Sequence, residues 1–378
     1  MPGENISVLG VLPNSSILNP SRSISVNIST NLLPTSTNQS QNSSDNSTKS
    51  RPCTSPLPNL SLNTLLPHFS YSELQLATNN FNKNSYEGAE GSGRFLGSGA
   101  FGSVFLALGL LDRPVAVKKL VLEDVEVVNV DDIVTKQFRN EVEVLSKYKH
   151  ENLLSLLGYS CDGCTYCLMY EYIPGGALKD RLQVSENKLQ WKERLRIAMG
   201  TAKAVAYLHT AFTTPLIHRD IKSANILLDS KNNPKLCDFG LIKLSPSQNT
   251  NTATTVFGTS AYMAPEAFRG DISVKLDTFS FGVVLLELLT SLPPMDEGRE
   301  GSDLVTHIED TCDSDITPLL DKEPGSWQEF DINFADELYK IALKCLEEKK
   351  KDQIWLRLLP YCKTFQISYQ IETPTLLL

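Results

Sequence analysis

The sequence predicts an α+β chain of two lobes, a small β-rich lobe with one key helix and a larger, mainly α-helical lobe. Three observations predict it. Between Phe95 and Tyr172, short strand-like runs punctuated by Gly and Asp-Gly surround a single strongly periodic stretch. Pro174-Gly175-Gly176 then breaks the pattern, as a boundary between lobes should. Beyond it helical periodicity takes over at 177–182, 191–209 and the mostly apolar 277–292. The expected divisions are a polar segment over 1–67, a first lobe over 68–172, a second over 173–352 and a tail over 353–378.

Composition narrows the class. A chain of 378 residues that is 41% apolar can bury a large core. Its net charge of -9 argues against nucleic-acid partners, because phosphate contacts need clustered Lys and Arg. Eight cysteines without a disulfide framework, in a chain with no signal peptide, point to a reducing cytoplasm. Cys161, Cys164 and Cys167 have metal-like spacing, but strand alternation and the turn at Asp162-Gly163 do not require their sulfurs to converge. The longest apolar run, 279–292, is interrupted by Ser280 and Glu287 and falls short of the roughly 20 residues a membrane span needs.

The first 67 residues are dominated by Asn, Ser, Thr and Pro and bury too little to offset chain entropy, so disorder is expected there. Order is expected from His68. Ser70 with Glu73 is a capping box, and Leu74, Ala77, Thr78 and Phe81 give the helix after it one packing face.

Leu96-Gly97-Ser98-Gly99-Ala100-Phe101-Gly102-Ser103-Val104 is a G-x-G-x-x-G-x-V loop between strand-like runs. Alone it is a weak signal, since dinucleotide folds share it. Those folds open a helix directly from the glycines, whereas here strand residues follow and lead to Val115-Ala116-Val117-Lys118. In the next helix Val134, Phe138, Glu141 and Leu145 share one face. A carboxylate within an apolar stripe needs a cation, and Lys118 is the candidate; otherwise Glu141 sits at the stripe's edge and reaches water.

His218-Arg219-Asp220-Ile221-Lys222-Ser223-Ala224-Asn225 and then Cys237-Asp238-Phe239-Gly240 concentrate acids, a lysine and an amide after an apolar run. Farther on come Ala264-Pro265-Glu266 and, at the start of the long apolar helix, Asp277. Asp277 reads at this point as a helix cap.

Taken in order, these motifs resemble the eukaryotic protein kinases from about Phe69 to about Asp352. Phe69-Ser70-Tyr71, Tyr170-Glu171-Tyr172-Ile173-Pro174, Phe268-Arg269-Gly270-Asp271-Ile272 and the stretch from Met295 to Glu300 are similar to the Pelle and interleukin-1-receptor-associated kinase family, closest to its kinase-4 (Tube-like) member. Plant receptor-like kinases share Ala77-Thr78-Asn79-Asn80-Phe81; the later stretches favour the animal family.

The resemblance implies a serine/threonine kinase that uses ATP and Mg2+ downstream of Toll-type receptors. It makes Asp220 the acceptor of the substrate's hydroxyl proton and turns Lys222 toward the transferring phosphate. Asn225 and Asp238 supply the oxygens that Mg2+ prefers, and Lys118, held by Glu141, binds the nucleotide phosphates. Leu96, Gly97, Ser98, Gly99, Ala100, Phe101, Gly102, Val104 and Ala116 enclose the nucleotide. Tyr170 is its gatekeeper, and backbone groups of Glu171 and Ile173 meet the adenine edge. Leu145, His218 and Phe239 form an internal spine, and Asp277, instead of a mere helix cap, braces the Asp220 loop from beneath. Arg219 beside Asp220 implies control by phosphorylation, with Thr250, Thr252, Thr254 or Thr255 as self-phosphorylation sites. Cys237 is expected to be a buried, inert thiol.

Two departures carry consequences. The polar first segment is too short for the family's helical death domain, which puts recruitment to adaptors in doubt. After Asp352 the family's Arg-Pro pair is missing. Glu266 is thereby expected to lose a buried cation partner, at a cost on the order of 3–5 kcal/mol. A destabilised, weakly active or inactive binding module is the rival reading.

Overall fold

The computed structural model describes residues 62, 64–88, 92–99, 102–120, 130–162, 165–183, 188–244, 259–312, 315–323, 327 and 332–347. Most of the polar segment, the tail over 353–378, Ala100, Phe101, Cys164, Thr250, Thr252, Thr254 and Thr255 lie outside them.

Ordered structure begins before His68. Leu62 and Leu66 pack against the core, and the Pro67 carbonyl accepts from Tyr159 N at 3.1 Å. Two leucines and an open strand edge outweigh the polar surroundings that placed the boundary at 67. Helix α1 (Tyr71–Ala77) follows, with the Ser70–Glu73 capping box formed. It ends before Phe81, because Asn79, Asn80 and Phe81 all take positive φ. Thr78 Oγ1 donates to Leu74 O at 2.7 Å and accepts from Phe81 N at 3.1 Å, so Phe81 is still delivered to the apolar face.

That face covers an antiparallel sheet of β1 (Phe95–Gly99), β2 (Gly102–Ala107), β3 (Val115–Leu120), β4 (Leu156–Ser160) and β5 (Tyr166–Glu171), ordered β1-β2-β3-β5-β4. Side chains alternate across a strand. Val115, Val117, Cys167 and Met169 therefore meet Leu74 and Phe81 on the outside, while Lys118, Leu168 and Tyr170 face inward. Helix α2 (Val130–Lys147) packs beneath the sheet with Val134, Phe138, Glu141 and Leu145 buried on one face.

Gly175 N donates to Leu228 O at 2.9 Å as the chain leaves the sheet, and a Cβ on Gly175 would meet that carbonyl at 2.3 Å. The second lobe holds α3 (Leu178–Gln183), α4 (Trp191–Thr210), two small ribbons of β6 (Leu216–Ile217) with β9 (Lys243–Leu244) and β7 (Ile226–Leu228) with β8 (Pro234–Leu236), then α5 (Val274–Thr290), α6 (Leu304–Thr311) and α7 (Ile332–Leu346). Helix α5 is capped by Ser273 and buried continuously from Leu276 to Thr290, so it forms the centre of the lobe. Arg194 ties α4 to its end through Asp321, Leu288 O and Ser291 Oγ. Helix α7 lies so close to α5 that a Cβ on Gly282 would sit 2.8 Å from Cys345 Cβ.

Glu266 differs from expectation. It is half-buried rather than fully buried and forms no ion pair among the described residues. A half-buried carboxylate keeps part of its hydration, and Lys275 is close enough to feel its charge, so the penalty for an unpaired buried charge does not apply in full. No described helix is long and apolar enough to cross a membrane.

Candidate active site

The site lies between the inner face of the sheet and the loops that rest on α5. Strand β3 aims Lys118 inward, where its Nζ lies 2.9 Å from Glu141 Oε1 and 2.8 Å from Asp238 Oδ1. Burial by itself would lower the lysine's pKa. The Asp238 and Glu141 carboxylates outweigh that and hold it above the ordinary lysine range. Burial likewise works against the charge on Asp238, and Lys118 more than compensates, keeping that carboxyl below its ordinary value. Burial lifts Glu141, which Lys118 and the Tyr170 hydroxyl counter in part. Tyr170 donates to Glu141 Oε2, a contact the sequence did not disclose.

The Asp220 loop is braced from below. Asp277 accepts from His218 N, Arg219 N and His209 Nε2, each at 2.8 Å, and it lies inside α5 rather than at its cap. The brace fixes Arg219 at φ 73, an uncommon conformation for a side chain of this size. Asp220 Oδ2 then accepts from Lys222 Nζ at 2.8 Å and Asn225 Nδ2 at 2.9 Å, and its Oδ1 accepts from Thr259 Oγ1 at 3.1 Å. Lys222 Nζ also donates to Thr259 at 3.0 Å. The His218 ring meets Phe239 edge-on at 5.0 Å, and Leu145 lies in the same apolar core.

Glycines form the roof. A Cβ on Gly102, at φ 144, would meet Lys119 O at 2.1 Å, so the hairpin needs glycine there. Added to Gly97 or Gly99 it would meet nothing within 4 Å among the described residues, and the backbone of β1 stands open there to a close-approaching ligand. Leu96 and Val104 lie on this hairpin, and Ala116 packs against the inner core beside Tyr170. Glu171 spends its N–H on Ser155 O at 3.1 Å and its carboxylate on Ser155 N and Lys235. Its N–H is therefore not available to a ligand. Open space over two glycines, a buried ammonium and an oxygen-rich donor set fit a metal-bound nucleoside triphosphate.

One cluster was missed. Glu287 of α5 is buried and accepts from Ser223 Oγ at 2.7 Å and Tyr262 OH at 2.8 Å; burial lifts its pKa to about 7. It links the Asp220 loop to the segment after Thr259. The signal was available: a lone carboxylate in an apolar helix needs partners, as Glu141 does. Cys237 is half-buried and its thiol is pushed up by burial and by Asp238, the opposite of a reactive thiolate.

Residues 91–356 match the protein kinase domain family, and the chain belongs to that family. It is similar to plant kinases in particular. Probable serine/threonine-protein kinase PBL21 of Arabidopsis thaliana is 42% identical over 240 residues, 61% of this chain and 58% of the relative. From the same organism, proline-rich receptor-like protein kinase PERK1 is 37% identical over 277 residues, covering 72% and 39%. Wall-associated receptor kinase-like 20, also from Arabidopsis thaliana, is 36% identical over 302 residues, covering 75% and 43%. The chain thus spans 39% to 58% of the length of these relatives.

Proposed function

We propose that the chain is a serine/threonine protein kinase that transfers the γ-phosphate of ATP to Ser and Thr hydroxyls, with Mg2+. The observation that carries this reading is the pair of linked clusters, Lys118 with Glu141 and Asp238, and Asp220 with Lys222, Asn225 and Thr259. Bound ATP supplies the phosphoryl group and Mg2+ the charge neutralisation. The chain's own residues position and hold protons. Asp220, oriented by three donors, accepts the proton of the incoming hydroxyl. Lys222 compensates charge beside it. Asn225 turns its amide nitrogen to Asp220, which frees its oxygen for metal, and Asp238 offers the second carboxylate. Lys118 holds phosphates under the open glycines, Glu141 keeps Lys118 in place, and Glu171 O with Ile173 receives the adenine edge. The similarity to PBL21, a probable serine/threonine-protein kinase, supports Ser/Thr acceptors.

We place the chain in the Pelle and interleukin-1-receptor-associated branch, in the cytoplasm and downstream of Toll-type receptors, with phosphorylation of its own 250–255 segment as the switch. The Tyr170 gatekeeper and the docked Phe69-Ser70-Tyr71 segment support that branch. The binding-module reading is weakened because every described charged group at the site has a partner. The test is transfer to peptide libraries that differ only in Ser, Thr or Tyr acceptors. Phosphate on Ser and Thr peptides that is lost in Asp220→Asn supports the enzyme. Folded protein that binds Mg2+ and ATP without transfer supports the module.

A further inference from the structure

Helix α2 turns a second polar group toward the Asp-Phe-Gly stretch. Gln137 lies four residues before Glu141, on the same face. It is 4% exposed, and neither its amide nitrogen nor its amide oxygen has a hydrogen-bond partner among the described residues. Burying a primary amide without partners is costly, and both halves of this one bear the cost. An apolar residue of similar shape would avoid it.

The carboxamide rests on Gly240. A Cβ there would meet Gln137 Nε2 at 2.2 Å, Cγ at 2.5 Å and Cδ at 2.7 Å, so the amide occupies the space a side chain at 240 would need. Two residues earlier, Asp238 sits at φ 67 with its carboxylate drawn to Lys118. A positive φ is uncommon for any residue but glycine, and here the Lys118 contact accompanies it. The idle amide thus lies against the main chain of the stretch that carries this carboxylate.

We propose that Gln137 is a positioning residue: its carboxamide hydrogen-bonds the main chain at Gly240 once Mg2+ and nucleotide draw Asp238 away from Lys118. The amide is idle in the resting chain and paired in the loaded one. That difference, and not the contact itself, shifts the equilibrium toward binding. The same move couples α2, and with it Glu141, to the metal-binding carboxylate. This inference rests on the kinase reading above.

The test compares the full chain with Gln137→Met and Gln137→Leu, which keep bulk and remove the amide. Melting temperature is measured alone and over a titration of Mg2+ with ADP, from which the affinity follows by mass action. Without ligand, both variants are expected to melt at or above the parent's temperature. Their affinity for Mg2+–ADP is expected to fall about three- to tenfold, the worth of one hydrogen bond. Affinity within twofold of the parent overturns the inference and leaves a packing amide. Variants that melt well below the parent, or fail to fold, also overturn it, because an idle amide cannot stabilise the resting chain. A parent that shows no rise with Mg2+–ADP overturns the kinase reading itself, and the positioning role with it.

Discussion

Tyr170 and Glu141 share a hydrogen bond across the back of the site, from the phenol to the carboxylate oxygen that Lys118 leaves free. Tyr170 therefore helps to hold the ion pair as well as to fill space. Tyr170→Phe keeps the ring and removes the donor. A hydrogen bond to a charged acceptor is worth about 1.5–3 kcal/mol, and chemical denaturation should show a loss of that size. Unchanged stability would mean that Lys118 alone anchors Glu141.

Asp277→Asn is expected to cost about 3–5 kcal/mol, since it removes a buried charge from three donors and leaves two backbone N–H groups facing an amide. The Asp277 carboxyl sits below its ordinary value, opposed by burial and favoured by His209 and the loop. Its contribution is therefore complete above the unfolded aspartate value and is lost as pH falls through the folded one. Acid melts of parent and variant should converge; parallel curves would contradict the brace.

Glu287 has the opposite sign. Its pKa is raised to about 7, so the folded chain holds a proton that the unfolded chain releases above about 4.3. Stability from this group is full at low pH and falls as pH rises toward 7, by roughly 3–4 kcal/mol at most. Glu287→Gln should gain on the parent in melting temperature between pH 5 and pH 8. A difference that does not change with pH would rule out the shift.

The segment before α1 is a strap on the edge of β4. Phe69 N donates to Tyr159 O at 2.9 Å, and a Cβ on Gly158 would meet the Phe69 ring at 2.7 Å. Gly158→Ala should displace the strap at a cost of about 1–3 kcal/mol and speed hydrogen exchange at Phe69 and Tyr159. Undisturbed exchange at both amides would show that the ring has room to move.

Much of this was legible in the chain. Glu141 in an apolar stripe called for Lys118, the Ser70–Glu73 spacing gave the cap, and Pro174-Gly175-Gly176 marked the change of lobe. What escaped depends on backbone placement across long separations. The capture of Asp238 by Lys118 needs a positive φ at an aspartate, which no periodicity encodes. Asp277 was ambiguous because Ser273 caps α5, which therefore starts at Val274, three residues before the expected start. Glu287 passed as an interruption of an apolar run because its two partners come from loops distant in sequence.

The most direct measurement is phosphate transfer by the full chain itself, with ATP and Mg2+, mapped by mass spectrometry beside Asp220→Asn. Phosphate within residues 250–255 that vanishes in Asp220→Asn is the expected result. Soluble, folded chain that binds Mg2+ and ATP yet carries no phosphate on any Ser or Thr, and modifies no peptide, would contradict it.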